Sequence, residues 1–499
     1  DQGGDINEQI HNATQSLDEY GGSPEFCQCI FQIYESDQIL RDIQRAAIIY
    51  LTNMILSHWE EEIPPESKLI IINSLPNILL NMSDESYPLL NKLAASIVRK
   101  TFFEGEWNEI TDIIISGFES KDDNQFSASL ILLNSISLLF NQVSDEKIEI
   151  YSELSTNFLQ HLTDYVSTSP SLFHVSICFK IAHHFSRSQI PPLFQSNPEI
   201  LQIWLCRAMQ IAEPTDDPNY YMFAHSSLKF LLIYIYKYNL DMLPPELPME
   251  MLNSVIECIK NVPNAKVLGK CALFIKRALE NEYTGPGILG DFEEFTKIVI
   301  LPFFILTPTD MEYAMDDPFT FILNFHSNCT DDSDARSIIS RAFELQSSVN
   351  PEIVQTYCTL FLSILPLRAP EYDQITYSLC FLFSTVSKHI NPIEVPSFCE
   401  MMLPLLQSDS FIVRSGCLLA LRDMKNVPAD IILIIFQILV IEEEVILVKY
   451  YAAISLSSIL KNIDEETAQI IQSNIDEKTI ADIIKNYFIL SQEFRDYDF

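Results

Sequence analysis

Glycine and basic side chains are what this sequence has least of. Only 11 of its 499 residues are glycine, well under the average usage of roughly 7%. β-Sandwiches and barrels need a special turn about every ten residues, so the shortage argues against them. Lys and Arg number 31 against 68 Asp and Glu, a formal net charge of −37. So few cations exclude direct binding to a phosphate backbone and point to basic partners. The chain is no disordered acidic tail either, because 48% of it is hydrophobic and 11% aromatic. Long uncharged runs are missing too. The longest, residues 124–144, mixes 11 apolar with 10 polar residues, among them Asn134, Ser135, Ser137 and Asn141. That mixture suits an amphipathic helix better than a membrane span. The 11 cysteines lack paired spacings and mostly sit singly inside apolar stretches. They read as buried thiols of a reducing compartment. No secretory signal opens the chain, which starts Asp1-Gln2-Gly3-Gly4-Asp5 without Met. Without one, the acceptor triplets at Asn12, Asn81 and Asn328 carry no weight. Together these absences predict a soluble intracellular protein.

What is present is helical periodicity. In residues 45–59, Ala46, Ile49, Leu51, Ile55 and Trp59 stand among polar Thr52, Asn53 and Ser57. The same spacing predicts helices over 63–80, 87–102, 106–118, 128–140, 146–162, 219–238, 248–262 and 265–280. It continues over 337–346, 352–365, 374–388, 395–406, 412–424, 429–441, 445–460 and 477–490. Prolines such as Pro64-Pro65, Pro191-Pro192, Pro244-Pro245, Pro366 and Pro370 punctuate the series, as do acidic clusters such as Asp216-Asp217 and Glu442-Glu443-Glu444. Paired helices at a period of about 40 residues are the mark of HEAT or armadillo arrays. The fold expected is all-α, a HEAT-repeat α-solenoid: one superhelix of roughly eleven helix pairs. No linker divides it, although length alone would suggest about three domains.

Catalytic motifs do not survive inspection. Gly285-Pro286-Gly287-Ile288-Leu289-Gly290 matches G-x-G-x-x-G, but it follows a helical stretch rather than a strand and reads as an inter-helix loop. His174 and Cys178 could share a helix face with His183 and His184 beyond them, yet no further metal ligand is in reach and packing is the better reading. Cys27-x-Cys29 has no partner pair. No catalytic, cofactor or metal residues are assigned, and the chain is not expected to be an enzyme.

A family resemblance emerges at the N-terminus. Residues 6–20 with Pro24-Glu25-Phe26 and Ile30-Phe31-Gln32-Ile33 resemble the first helix pair of importin-β-type transport receptors, the karyopherins. Arg45-Ala46-Ala47-Ile48-Ile49-Tyr50-Leu51-Thr52-Asn53-Met54-Ile55 and Trp59 resemble that family's R-x-A-A-x-x-L-K-N-x-I…W helix, with Thr52 in place of its lysine. Trp107 resembles the tryptophan of the third pair. Further on, Asp316-Asp317-Pro318-Phe319-Thr320-Phe321-Ile322 with the acidic Asp331-Asp332-Ser333-Asp334 is similar to a segment of the large importins of ribosomal proteins and histones. So are Phe411-Ile412-Val413-Arg414-Ser415-Gly416-Cys417 and the stretch from Glu444 to Ala453. The related exportin of importin-α shares much of this layout.

The resemblance implies a nuclear transport receptor, an importin by this reading, present as its N-terminal half. It would bind the GTP form of the small GTPase Ran, basic cargo of ribosomal-protein or histone type, and nucleoporin FG repeats, with no nucleic acid and no membrane insertion. It would act as a monomer shuttling between cytoplasm and nucleus. Residues 1–120 would be the Ran-binding end and 121–499 the continuing repeats. In 63–80 the helix would bury Leu69, Ile72, Leu75, Ile78 and Leu79 and present Glu66, Asn73 and Asn77; in 106–118 it would bury Trp107, Ile110, Ile114 and Phe118 and present Glu109, Asp112 and Ser116. These two stripes are the expected Ran contacts. The competing classes are a HEAT-repeat scaffold without Ran binding and the exportin of importin-α.

Overall fold

The structure, a computed structural model, describes residue 17 and residues 21–83, 85–237, 243–280, 284–290, 292–326, 335–348, 350–364 and 372–493. Every regular element among these is a helix, and the array is the HEAT-type solenoid fold that the periodicity predicts. The chain divides into two compact units, Asp1–Pro244 and Pro245–Phe499.

The first unit holds α1 (Pro24–Glu35), α2 (Arg41–His58), α3 (Pro65–Leu80), α4 (Tyr87–Thr101), α5 (Ile110–Glu119), α6 (Asp123–Leu138), α7 (Ile148–Thr168), α8 (Leu172–Ser188), α9 (Pro192–Ser196), α10 (Pro198–Met209) and α11 (Tyr220–Tyr236). Proline opens many of them: Pro24, Pro65, Pro88, Pro192 and Pro198 lie in first turns, where the missing N–H costs nothing. Ser23 caps α1 by accepting from Phe26 N at 3.2 Å. The helices form two rows. In the packed row α2, α4, α6, α8 and α11 each lie on the next; α1, α3, α5, α7 and α10 form the cover row.

A helix in the packed row has neighbours on both sides and a cover helix behind it. In α6, residues 128–137 are buried without a break. The polar residues at the centre of the long uncharged run, Ser129, Asn134, Ser135 and Ser137, are therefore inside rather than on the solvent face of an amphipathic helix. Ser135 donates to Ile131 O at 2.9 Å, Ser137 to Asn134 O at 2.7 Å, and Asn134 reaches across to Asn91 of α4 at 2.8 Å. The two hydroxyls and the Asn134 amide N–H thus find local or neighbouring acceptors, while Asn134 Oδ1 is buried without a partner.

The second unit repeats the scheme with α12 (Leu247–Asn261), α13 (Ala265–Glu280), α14 (Gly285–Gly290), α15 (Phe292–Phe295, running on as a π-turn over Thr296–Ile300), α16 (Pro308–Asp316), α17 (Pro318–His326), α18 (Ala335–Ser347), α19 (Pro351–Ile364), α20 (Asp373–Val386), α21 (Val395–Leu406), α22 (Phe411–Leu421), α23 (Ala429–Val440), α24 (Ile446–Leu460), α25 (Glu465–Asn474) and α26 (Glu477–Glu493). Its packed row runs α13, α18, α20, α22, α24, α26. At the α20–α22 crossing a Cβ on Gly416 would lie 3.1 Å from Tyr377 Cα and from Cys380 Cβ, so this rare glycine sets the helix separation.

Several expectations change. Gly285–Gly290 is a short helix, not a loop. The helix predicted from residue 106 starts at Ile110, because Trp107 packs from the preceding turn. Helices α10, α16 and α25 were absent from the predicted set, and α8 was read only as the helical stretch that holds His174 to His184. Residues 6–16 and 18–20, Asn12, Asn328, Asp331 to Asp334, Pro366 and Pro370 lie outside the described residues.

Candidate partner-binding interface

The stripe on α3 is set by helical phase. Ile71, Ile72, Leu75, Ile78 and Leu79 point inward, with Ser67 donating to Gly22 O at 2.6 Å. Gly22 itself has φ +88, a backbone that favours glycine. Glu66, Asn73 and Asn77 lie on the opposite side, exposed. Leu69 falls in phase with them, not with the core: it is 56% exposed, so the expectation that it is buried was wrong. The stripe is therefore Glu66, Leu69, Asn73 and Asn77, a polar face with one apolar residue in it.

On α5, Ile110 and Ile114 are buried and Phe118 is half-buried against Phe126 and Phe158, with ring centroids at 5.4 and 6.3 Å. Glu109, the residue capping the N-terminus, and Asp112 and Ser116 are exposed on one face. Acids in a first turn face the positive end of the helix dipole, which stabilises α5. All six candidate residues are thus solvent-accessible and share the cover row. The structure does not pack α3 directly and extensively on α5, both leaning on α6 instead.

The residues that carry the resemblance are mostly structural. Trp59 and Trp107 are 1% and 4% exposed. Trp59 Nε1 donates to Glu106 at 3.3 Å, and Lys68, 3.7 Å from the same carboxylate, lies over the Trp59 ring at 5.2 Å. Thr52 is 1% exposed and donates to Ile48 O at 2.7 Å, so it is a core residue here. Asp317 caps α17, accepting from Thr320 N at 3.1 Å and Thr320 Oγ1 at 2.6 Å, which hold its carboxyl below the usual range. Phe321 and Ile322 anchor that helix in the core. Arg414 pairs with Glu444 at 2.6 Å, both side chains largely covered, and Glu444 also accepts from Val445 N at 2.9 Å. This ties α22 to the start of α24.

The metal and redox readings fall away on geometry. Both ring nitrogens of His174 are taken, Nε2 by Ser127 Oγ at 2.6 Å and Nδ1 by Tyr165 OH at 2.7 Å. Cys178 is fully buried and burial pushes its thiol up. Cys27 is buried and Cys29 exposed. Among the described residues no single helix is long and apolar enough to cross a membrane.

One apolar groove stands apart, and sequence reasoning missed it. Met249, Leu252 and Ile256 of α12 face Ile288, Phe295 and Ile298 across a space of about 240 Å³. Ile298 is 39% exposed. No periodicity in one helix could show it, because it lies between two cover-row elements and the π-turn aims Ile298 into it.

Residues 13–81 match the importin-beta N-terminal domain family. The helices take the fold of solved karyopherins. The exportin Cse1 in its cargo-free, cytoplasmic state matches with a TM-score of 0.68 at 15% identity, over 98% of this chain and 60% of that one. Within this chain, then, residues 13–81 match the importin-beta N-terminal domain and the described helices share the karyopherin fold. Kap121p matches with a TM-score of 0.60 at 16% identity, over 97% of this chain and 46% of that one. Kap95 in its complex with Nup1 gives 0.60 at 14%, over 98% and 65%. The chain therefore spans about half to two thirds of the length of these structures. No curated protein matches it.

Proposed function

We propose that this chain belongs to a karyopherin, a nuclear transport receptor that binds a Ran-type GTPase in its GTP form and carries basic protein cargo through the pore, shuttling between cytoplasm and nucleus. The observation that carries the reading is the importin-beta N-terminal domain at residues 13–81 leading a karyopherin fold. Residues 1–120 form the GTPase-binding end and 121–499 the continuing repeats. Glu66, Asn73, Asn77, Glu109, Asp112 and Ser116 are the GTPase contacts in this reading; their shared exposure on the cover row supports it. A net charge of −37 favours a basic ribosomal-protein or histone-type cargo and makes the attraction salt-dependent.

The groove between α12 and α15 supports the pore step. Its apolar walls suit the phenylalanine of an FG repeat, and Kap95 and Kap121p have been solved with the nucleoporins Nup1 and Nup53p. Binding of an FG-repeat peptide, lost in Ile298→Asp, tests that part. Export is the second reading, favoured by the likeness to the exportin Cse1. A pull-down with Ran loaded with GTP or GDP, with and without cargo, decides between them: an importin releases cargo to Ran·GTP, whereas an exportin binds both together.

A further inference from the structure

The two rows of the first unit carry opposite charge. Helices α2, α4, α6, α8 and α11 hold eight Lys and Arg against two Asp and Glu, while α1, α3, α5, α7, α9 and α10 hold two against nine. Neither α4, α8 nor α11 contains a single carboxylate. In a chain of net charge −37 the packed row is a local inversion of sign.

Of these cations, Arg41 and Lys100 pair with Glu85 and Glu60 of the turns, whereas Lys180, Arg187 and Lys229 gather around His184. Lys92 and Arg99 on α4 and Arg187 on α8 are exposed. Lys180 and Arg187 of α8 and Lys229 of α11 all act on His184, which also meets Asn141 Oδ1 at 3.0 Å from Nδ1 and the His183 ring at 5.4 Å between centroids. Burial, then Lys229, Arg187 and Lys180, lowers His184 to about 4, and burial, then Lys229, lowers Lys180 to about 8; the charges that contribute are all positive. Lys180 is held along the row by Tyr87 of α4, at 3.1 Å from its hydroxyl. Lys237, just beyond α11, donates to the carbonyls of Arg187 and Ser188 at the end of α8, the latter at 3.0 Å. Like charges placed together raise the energy of the free protein, and an anionic ligand lowers it again.

We infer that the packed row of the first unit, centred on α8 and α11, docks an acidic segment of a partner protein. Charge complementarity selects the occupant: basic cargo is repelled here and must bind elsewhere. The inference does not rest on the transport reading, since a scaffold with this row would bind the same segment.

The test is fluorescence anisotropy of a labelled oligo-glutamate peptide with the full chain, against oligo-lysine and a single-stranded oligonucleotide. The peptide is expected to bind with a steep salt dependence, and Lys92→Glu, Arg99→Glu and Arg187→Glu combined to weaken it about tenfold or more. These three side chains are exposed, so the variant keeps its fold; Lys425→Glu, an exposed site in the second unit, leaves binding unchanged. By NMR, the His184 titration moves up toward its ordinary value when the peptide binds. No binding to the wild-type chain, equal binding to the triple variant, an unmoved His184, or tighter binding of the oligonucleotide at the same residues would each overturn the proposal.

Discussion

Tyr87 of α4 and Lys180 of α8 meet across the face of α6, although α4 and α8 are not neighbours in the row. The ammonium lies 3.1 Å from the Tyr87 hydroxyl and 4.7 Å from the ring centroid, and Phe173 of α8 packs its ring edge-on to Tyr87 at 5.3 Å. Burial, then Lys229, lowers Lys180 to about 8. A lysine whose folded pKa is depressed destabilises the fold wherever it is charged in the unfolded chain, and that cost fades as pH rises from about 8 to 10.5. Lys180→Met is therefore expected to stabilise the first unit at pH 7 by about 1–3 kcal/mol, the apolar chain keeping the contact with the ring. Urea unfolding at pH 7 and pH 10 checks this; the gain should shrink at the higher pH.

Gly117 lets α5 approach α6. A Cβ there would lie 1.9 Å from Ser129 Oγ and 2.9 Å from Gln125 O. Gly117→Ala should cost about 1–3 kcal/mol in chemical denaturation. Adding Ser129→Ala should recover only part of the loss, because the Gln125 backbone remains.

Glu444 accepts from both Arg414 and Val445 N, with Arg414 and Glu444 side chains only 15% and 9% exposed. Removing one partner leaves a covered charge behind. Glu444→Ala should cost about 3 kcal/mol, and Arg414→Met with Glu444→Gln less than the sum of the single losses, a coupling that a double-mutant cycle reads directly.

His184 gives acid sensitivity its own window. Burial, with Lys229, Arg187 and Lys180, lowers it to about 4 from 6.5. The unfolded chain takes up a proton before the folded one, so stability falls as pH drops from 6.5 toward 4, by at most about 3 kcal/mol. The capping carboxylates Asp317 and Asp464, held low by their threonine bonds, give way only below the usual carboxylate range. His184→Asn should flatten the upper part of the pH–stability curve and leave the lower part.

How much of this the sequence carries depends on which row a helix joins. A helix with one solvent face, such as α21, begins and ends where the apolar spacing does. In α6 and α24 burial reaches almost all round, and polar residues such as Ser135 and Ser455 are inside. Periodicity finds such helices without saying which side faces a partner. Leu69 shows the opposite error: leucine was taken as core, although its phase with Glu66 and Asn73 puts it outside. The six candidate contacts were readable as exposed, but their common membership of the cover row was not. That depends on helix pairing, as does the sign inversion between the rows, which no composition total reveals.

The central claim is GTPase-gated transport. Its most direct measurement is the affinity of the chain for Ran loaded with GTP and with GDP, by titration calorimetry, alongside Glu109→Lys with Asp112→Lys. The account predicts binding that is strong for the GTP form, at least about tenfold weaker for GDP, and reduced by the double charge reversal. Equal binding of the two forms, or none, would contradict it.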